Sequence, residues 1–225
     1  MAAAVIIIST IVLFLLMQKL YMKINKPIFI PILTVTIITV FVLLLFNISY
    51  STYMEGGEWI QRMLGPAVVA LAYPLYNQRA LILKYKFSII TSLVIAMISG
   101  LISIVVLLKL FRASDQFLLT ALPKSLTTPI AMEVSSSIGG VAPLTAVLVM
   151  VAGFTGATLG PFLYRIARID SAVSRGVSMG SASHGMGITK LKDYGEEDLS
   201  IGSLSMGISA ILGAFICPII AMLVI

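Results

Sequence analysis

Five long windows without a charged residue constrain this chain more than any other feature of its sequence. Residues 1–18, 27–54, 87–108, 134–164 and 199–225 contain no Asp, Glu, Lys or Arg. Each window is at least 18 residues long, about the length that an α-helix needs to cross the hydrocarbon core of a bilayer. With 59% hydrophobic and 11% charged residues, the chain has too few charges for the surface of a soluble domain. The windows therefore predict a membrane protein.

The apolar runs are continuous and do not alternate, so they predict helices and not the strands of a β-barrel. We expect an all-α polytopic membrane protein with about six transmembrane helices and two broken or re-entrant segments. The N-terminal part, 1–112, contains the predicted spans 1–20, 27–50, 59–77 and 87–110. The C-terminal part contains two units, 113–165 and 171–225, and each unit is a polar, breakable segment followed by a long apolar helix.

The basic residues predict the orientation of the chain in a bacterial cytoplasmic membrane. Lys19, Lys23 and Lys26 follow the first span, which places the N-terminus outside and this loop in the cytoplasm. If both broken segments cross fully, Lys and Arg divide 8 to 7 between inside and outside; if both are re-entrant, they divide 11 to 4. The count favours re-entrant segments, although broken helices that cross the whole membrane also occur in transporters.

The two broken segments resemble each other. Residues 125–131, Ser-Leu-Thr-Thr-Pro-Ile-Ala, align with residues 181–187, Ser-Ala-Ser-His-Gly-Met-Gly. Further along, residues 156–161 align with 213–218, one position out of step. If both segments are re-entrant, the two units enter the membrane from opposite sides and form an inverted repeat, which is how many secondary carriers are built.

The polar residues at the breaks predict a binding site for a small anion such as a carboxylate. Unwound backbone at membrane depth must be buried in protein or face a water-filled cavity, and a helix N-terminus there carries partial positive charge. The predicted structural breaks are Pro129, Gly185 and Gly187. The predicted substrate-binding residues are Thr127, Thr128, Ser183 and His184, supported by Lys124 and Ser125.

Several of these residues have a second interpretation. His184 and Glu133 are candidates for coupling transport to H⁺ or Na⁺, but His184 also fits a neutral ring that bonds to backbone at the break. Glu133 and Lys124 also fit interfacial charges that extend towards the headgroups. Clusters of small polar residues also occur where membrane helices simply pack.

Other classes of function are disfavoured. The chain has one histidine and one cysteine, so neither a catalytic nor a metal site is predicted, and no cofactor beyond a coupling ion. The net charge of +6 is explained by membrane topology and does not predict nucleic-acid binding. The acidic cluster Glu196, Glu197 and Asp198 is expected in a solvated loop before the last span.

At these same segments the chain resembles the LrgB/CidB family of bacterial membrane proteins over nearly its whole length. Two motifs are the most specific, namely Pro-Lys-Ser-Leu-Thr-Thr-Pro-Ile-Ala at 123–131 and Gly-Ser-Ala-Ser-His at 180–184. Shorter matches lie at 64–67, 74–76, 138–140 and 160–161. The chain has Ile-Thr-Lys at 188–190, where many members have a pair of small residues after the histidine-containing loop.

The resemblance implies two descriptions of function. One is an antiholin-like regulator of murein hydrolase activity and autolysis that acts with a small LrgA/CidA-type membrane partner. The other is transport of small monocarboxylates such as pyruvate, or of glycolate and glycerate as in plastid relatives. The broken, hydroxyl-lined segments favour a carrier, and we expect a homo-oligomer that works with the LrgA/CidA-type protein.

Overall fold

The computed structural model describes residues 2–24, 29, 31–63, 66, 69–70, 73, 76 and 79–225, and all regular structure in these ranges is helical. The predicted all-α membrane fold is confirmed. The helices, which we number in chain order, are α1 (Ala2–Ile24), α2 (Pro31–Leu45), α3 (Tyr50–Arg62), α4 (Arg79–Leu110), α5 (Asp115–Ala121), a 3₁₀ turn (Leu122–Ser125), α6 (Thr128–Ser137), α7 (Ala142–Ile166), α8 (Ala172–Leu191) and α9 (Glu196–Val224).

Four of the described helices are long and apolar enough to cross a membrane: Ala3–Ile24, Leu83–Leu110, Ala142–Ile166 and Glu196–Val224. They correspond to four of the six predicted spans. The predicted span 27–50 contains α2, whose 15 residues measure about 22 Å. The predicted span 59–77 overlaps the end of α3, and most of its remainder lies outside the described residues.

The chain divides into two compact units, Met1–Ala67 and Val68–Ile225. In the first unit α3 packs on α1 through Gly56, where a Cβ atom would lie 2.7 Å from the carbonyl oxygen of Ala3. The hydroxyls of Thr10 and Tyr53 lie 3.3 Å apart across the same interface. A glycine at this position therefore lets two helices approach at backbone distance.

In the second unit α5, the 3₁₀ turn and α6 fold back on each other, and we call residues 115–137 hairpin 1. Thr145 of α7 joins its two ends: Oγ1 of Thr145 donates to the carbonyl oxygen of Thr120 (2.8 Å) and lies 2.7 Å from Oγ of Ser135. A continuous helix would separate residues 120 and 135 by about 22 Å. All three residues are fully buried, so this hydrogen-bonded base is shielded from solvent.

Helix α8 also folds back, and we call residues 172–191 hairpin 2. Gly202 of α9 lies between its two ends, because a Cβ atom there would meet Cδ1 of Leu191 and lie 3.7 Å from the carbonyl oxygen of Gly176. Met179 and Gly187 also meet across the hairpin. Both broken segments are thus helical hairpins whose two ends are close together in space, and their re-entrant course in the membrane stays a prediction.

The two hairpins share backbone landmarks at a spacing of 56 or 57 residues. A residue with positive φ precedes each hairpin (Arg112, φ 52°; Arg168, φ 50°), and a glycine with positive φ follows each (Gly139, φ 89°; Gly195, φ 139°). A serine caps the first helix of each hairpin, Ser114 for α5 and Ser171 for α8. The base contacts keep the same spacing, since 120, 135 and 145 correspond to 176, 191 and 202.

Candidate functional site

The break in hairpin 1 is a short extended stretch between two helices. The 3₁₀ turn ends at Ser125, and Leu126 (ψ 167°) and Thr127 (ψ 140°) are extended before α6 begins at Thr128. Pro129 lies in the first turn of α6, where the missing N–H has no intrahelical partner to lose. Pro129 therefore starts the second helix of the hairpin, and the break itself falls on Leu126 and Thr127.

The break in hairpin 2 falls on His184. Its backbone has φ 39° and ψ −139°, outside the helical region and at positive φ, which is uncommon for a residue with a side chain. A Cβ atom on Gly185 would meet nothing within 4 Å, whereas one on Gly187 would lie 2.5 Å from Cβ of Ser183 and 2.7 Å from Cγ of Met179. Gly187 is therefore required where the two halves of the hairpin pack together.

The imidazole of His184 is buried against α7. Its Nε2 lies 3.0 Å from the carbonyl oxygen of Val149, and a Cβ atom on Gly153 would lie 2.8 Å from its Cε1. Because a carbonyl can only accept, Nε2 carries the hydrogen in the neutral ring and Nδ1 is an acceptor. A neutral His184 therefore cannot donate from Nδ1 to a carboxylate. This is the backbone-bonded arrangement considered above, and the coupling role of His184 stays a prediction.

Each hairpin break contacts the long helix of the other unit. A Cβ atom on Gly156 of α7 would overlap Oγ of Ser183 and lie 2.5 Å from its Cβ. A Cβ atom on Gly213 of α9 would meet both methyl groups of Leu126. Gly156 and Gly213 are the first residues of the two aligned six-residue segments, so the same position of the repeat makes the close approach in both units.

A cavity of about 510 Å³ lies where the two breaks, α4 and α7 meet. Most of its lining is apolar, and Cys217 of α9 contributes to it. The polar side chains that line it are Lys124, Ser125, Thr155, Ser181 and Ser183.

The cavity brings together some of the predicted binding residues. Lys124, Ser125 and Ser183 line it, although they come from different hairpins. Thr127, Thr128 and His184 lie outside its lining, the first two half-buried at the start of α6. Glu133 is exposed on the surface of α6. In the part of the chain that the structure describes, no three His, Cys, Asp or Glu side chains could share a metal ion.

Comparison with known proteins identifies the family. The signature of the LrgB-like family matches residues 10–223. This chain belongs to that family. The "Uncharacterized protein YxaC" of Bacillus subtilis is 43% identical over 221 residues, covering 98% of this chain and 96% of the relative. The "Holin-like protein CidB" of Staphylococcus epidermidis (34% identical) and that of Staphylococcus aureus (33%) match with the same coverage. No solved structure matches at a significant level.

Two polar residues that line this cavity were absent from the predicted site. Ser181 is half-buried and lines the same cavity as Ser125, with which it aligns in the repeat. The alignment could have identified it, because it pairs the two serines directly. Thr155 lies on α7 and donates to the carbonyl oxygen of Val151 (2.7 Å). Nothing in the sequence around Thr155 distinguishes it from a threonine that only packs in a membrane helix.

The acidic cluster before α9 differs from the expectation. Glu196 and Glu197 are exposed, but Asp198 is 3% exposed and accepts from Nε (2.7 Å) and Nη2 (3.2 Å) of Arg175. Tyr164 of α7 donates from its hydroxyl to the carbonyl oxygen of Arg175 (2.9 Å). The expectation of a solvated loop was therefore wrong for Asp198, which ties the start of α9 to the start of hairpin 2.

Proposed function

We propose that this LrgB-like protein is a secondary carrier for small monocarboxylates of the pyruvate, glycolate or glycerate type. The observation that carries the proposal is the cavity where the two hairpin breaks meet, lined by one lysine and four hydroxyl groups in an otherwise apolar wall. A carboxylate needs a positive charge and hydroxyl donors when it leaves water, and an apolar wall suits a short carbon chain.

Lys124 supplies the charge in this proposal. It is half-buried in the 3₁₀ turn of hairpin 1 and lines the cavity beside Ser125. Ser181 and Ser183 approach from hairpin 2. The hydroxyl of Ser181 donates to the carbonyl oxygen of Ser178 over 3.3 Å, and it would turn from this long bond to donate to the same carboxylate. The ligand would thus contact both re-entrant hairpins, so that binding depends on how they are placed relative to each other.

A second cavity supports an access route to this site. It has a volume of about 520 Å³ and shares Ala96 of α4 and Ser181 of hairpin 2 with the central cavity. Its other polar residues are Tyr85, Ser88, Ser92, Ser171, Ser174 and Ser178. The hydroxyls that line this second cavity can replace some of the water that a carboxylate loses on its way to Lys124.

The remaining roles follow from the same proposal. The carrier lies in the bacterial cytoplasmic membrane with its N-terminus outside, couples uptake to H⁺ or Na⁺, and works as a homo-oligomer with an LrgA/CidA-type partner. Thr127 and Thr128 stay candidates for binding when the hairpins move, and His184 and Glu133 stay candidates for proton coupling. His184 would then bind a carboxylate at Nδ1 only after it takes up a second proton.

The CidB relatives are named holin-like proteins. The family resemblance implies a second candidate function, that of an antiholin-like regulator of murein hydrolase activity and autolysis that does not itself transport. Uptake of labelled pyruvate and glycolate by the purified protein in liposomes distinguishes the two. A carrier shows saturable uptake, and Ser125→Ala and Ser181→Ala each raise KM about tenfold, the effect of losing one hydrogen bond to a charged group. Ser99→Ala is the control, because Ser99 lines neither cavity and its hydroxyl donates to the carbonyl oxygen of Ala96 within α4.

Three results would contradict the proposed carrier or the position of its site. Leakage of a large dye together with pyruvate, without saturation, would indicate a holin-like pore. Intact vesicles without any carboxylate uptake would favour the regulator. Equal KM values in the Ser125 and Ser181 variants and the parent would move the binding site elsewhere.

A further inference from the structure

Two buried hydroxyl groups on α9 have no partner in the part of the chain that the structure describes. Oγ of Ser205 and Oγ of Ser209 are inaccessible to solvent and make no hydrogen bond. A serine in a membrane helix can bond to the carbonyl four residues earlier, as Ser203 does to Leu199 (2.9 Å). The hydroxyls of Ser205 and Ser209 do not, although leaving such a group unpaired costs about 1–3 kcal/mol.

The repeat relates these two serines to the wall of the central cavity. At the spacing of 57 residues, Ser205 corresponds to Leu148 and Ser209 to Ala152, and both of these line the cavity on α7. Ser125 and Ser181 correspond to each other and line the same cavity. The repeat therefore relates the cavity wall on α7 to the face of α9 that carries Ser205 and Ser209. It relates Ser125 and Ser181 to each other.

The contacts with hairpin 2 show that α7 and α9 run in opposite directions, as the two halves of an inverted repeat require. Along α7 and hairpin 2 the contacting pairs run in opposite directions: Gly160 with Met179, then Gly156 with Ser183. Along α9 and hairpin 2 they run in the same direction: Ile201 with Gly176, then Ser205 with Gly180. Helices α7 and α9 are therefore antiparallel. The base of each hairpin lies beside the start of the helix that follows it in the chain.

The α9 side is closed in this structure. A Cβ atom on Gly180 would meet the carbonyl oxygen of Gly202 and lie 2.9 Å from Cβ of Ser205, so hairpin 2 and α9 are in backbone contact there. At the corresponding place on the other side, Lys124 and Leu148 border open space. The same position of the repeat is thus open beside α7 and closed beside α9.

We propose that Ser205 and Ser209 line a further cavity for the same small carboxylate, the α9 cavity, which is closed in this structure. It opens beside α9 when the central cavity beside α7 closes. This inference rests on the proposed carrier function. In the second state the two hydroxyls donate to water or to the passing carboxylate, which offsets the cost of leaving them unpaired in the first. Ser125 and Ser181 border the central cavity and the α9 cavity and hold the ligand between them.

Cysteine accessibility in proteoliposomes tests this proposal in a Cys217→Ala background, because Cys217 itself lines the open cavity. Ser205→Cys and Ser209→Cys report on the α9 side, and Ala152→Cys reports on the α7 side. Ile201→Cys is the control, since this fully buried residue packs at the base of hairpin 2. An anionic methanethiosulfonate reagent is applied with and without saturating pyruvate, and uptake is measured in the same vesicles.

Without pyruvate we expect rapid modification of the Ala152 variant and slow modification of both serine variants. Turnover raises a minor state from about 10% to about half of the molecules, so pyruvate should accelerate modification of the serine variants about fivefold and slow that of the Ala152 variant about twofold. Transport without any acceleration at either serine variant, or equal acceleration at Ile201, would overturn this inference alone. Absence of uptake by the protein with Cys217 in place, reconstituted in the same way, would overturn the carrier function with it.

Discussion

A methyl group at position 156 tests how closely hairpin 2 must approach α7. A Cβ atom there would overlap Oγ of Ser183 and lie 2.5 Å from its Cβ, whereas carbon atoms in contact prefer about 3.5–4.0 Å. The helix and the hairpin must therefore separate by about 1 Å in Gly156→Ala. Overpacking of this kind costs about 1–3 kcal/mol in the free energy of unfolding. We expect a loss in that range, together with slower carboxylate uptake.

A second substitution, Ser183→Gly, should compensate for the overlap that Gly156→Ala introduces. It removes both overlapping atoms and leaves Cα of residue 183 at 3.7 Å, an ordinary contact. On its own it costs about 1 kcal/mol, the usual penalty for glycine in a helix. In the double variant the cost of the methyl group at 156 should vanish, which gives a coupling energy of about 1–3 kcal/mol between the two positions.

The assay is reversible unfolding in mixed detergent micelles, followed by circular dichroism for the parent, the two single variants and the double variant. Gly100→Ala is the matched control, because this glycine also lines the cavity but a Cβ atom there meets nothing within 4 Å. It should be neutral or stabilising by up to about 1 kcal/mol. A loss of less than about 0.5 kcal/mol in Gly156→Ala, or additive costs in the double variant, would refute the reasoning.

Three further substitutions test other parts of the second unit by the same unfolding measurement. Thr145→Val removes the hydroxyl that contacts two buried oxygens at the base of hairpin 1, those of the Thr120 carbonyl and the Ser135 hydroxyl, and should cost about 1–3 kcal/mol. Thr145→Ser should cost less, and equal losses would contradict the network. Arg175→Gln leaves the buried carboxylate of Asp198 without its charged partner and should cost about 3 kcal/mol in the free energy of unfolding. Arg62→Gln, at an exposed ion pair with Glu58, should cost less than about 1 kcal/mol. His184→Gly should be about 1 kcal/mol more stable than His184→Ala because glycine adopts φ 39° without strain, and the reverse order would argue against this backbone.

The sequence predicted the parts of this fold that depend on local composition. Charge-free windows identified the long apolar helices, and clusters of hydroxyl, proline and glycine residues identified both hairpins. The break at His184 was assigned to its neighbours Gly185 and Gly187, since glycine is the usual residue at positive φ. His184 instead adopts this conformation with its ring held by the carbonyl of Val149.

The rest depended on contacts between segments that are distant in the sequence. The place of Ser183 in the cavity wall follows from its packing on Gly156, and a glycine in a membrane helix does not reveal its partner. The burial of Asp198 depends on Arg175, which is 23 residues away on another helix. The membrane orientation of the two hairpins, their coupling ion and their partner stay predictions.

Exchange across the membrane tests the central claim most directly. Proteoliposomes are loaded with unlabelled pyruvate or with an equal concentration of chloride, and the initial uptake of labelled pyruvate is measured from outside. A carrier whose site at Ser125 and Ser181 is reached from the two sides in turn should take up label several-fold faster into pyruvate-loaded vesicles, because the loaded site returns faster than the empty one. Equal rates in the two preparations, with uptake proportional to the external concentration, would contradict this account and indicate a pore.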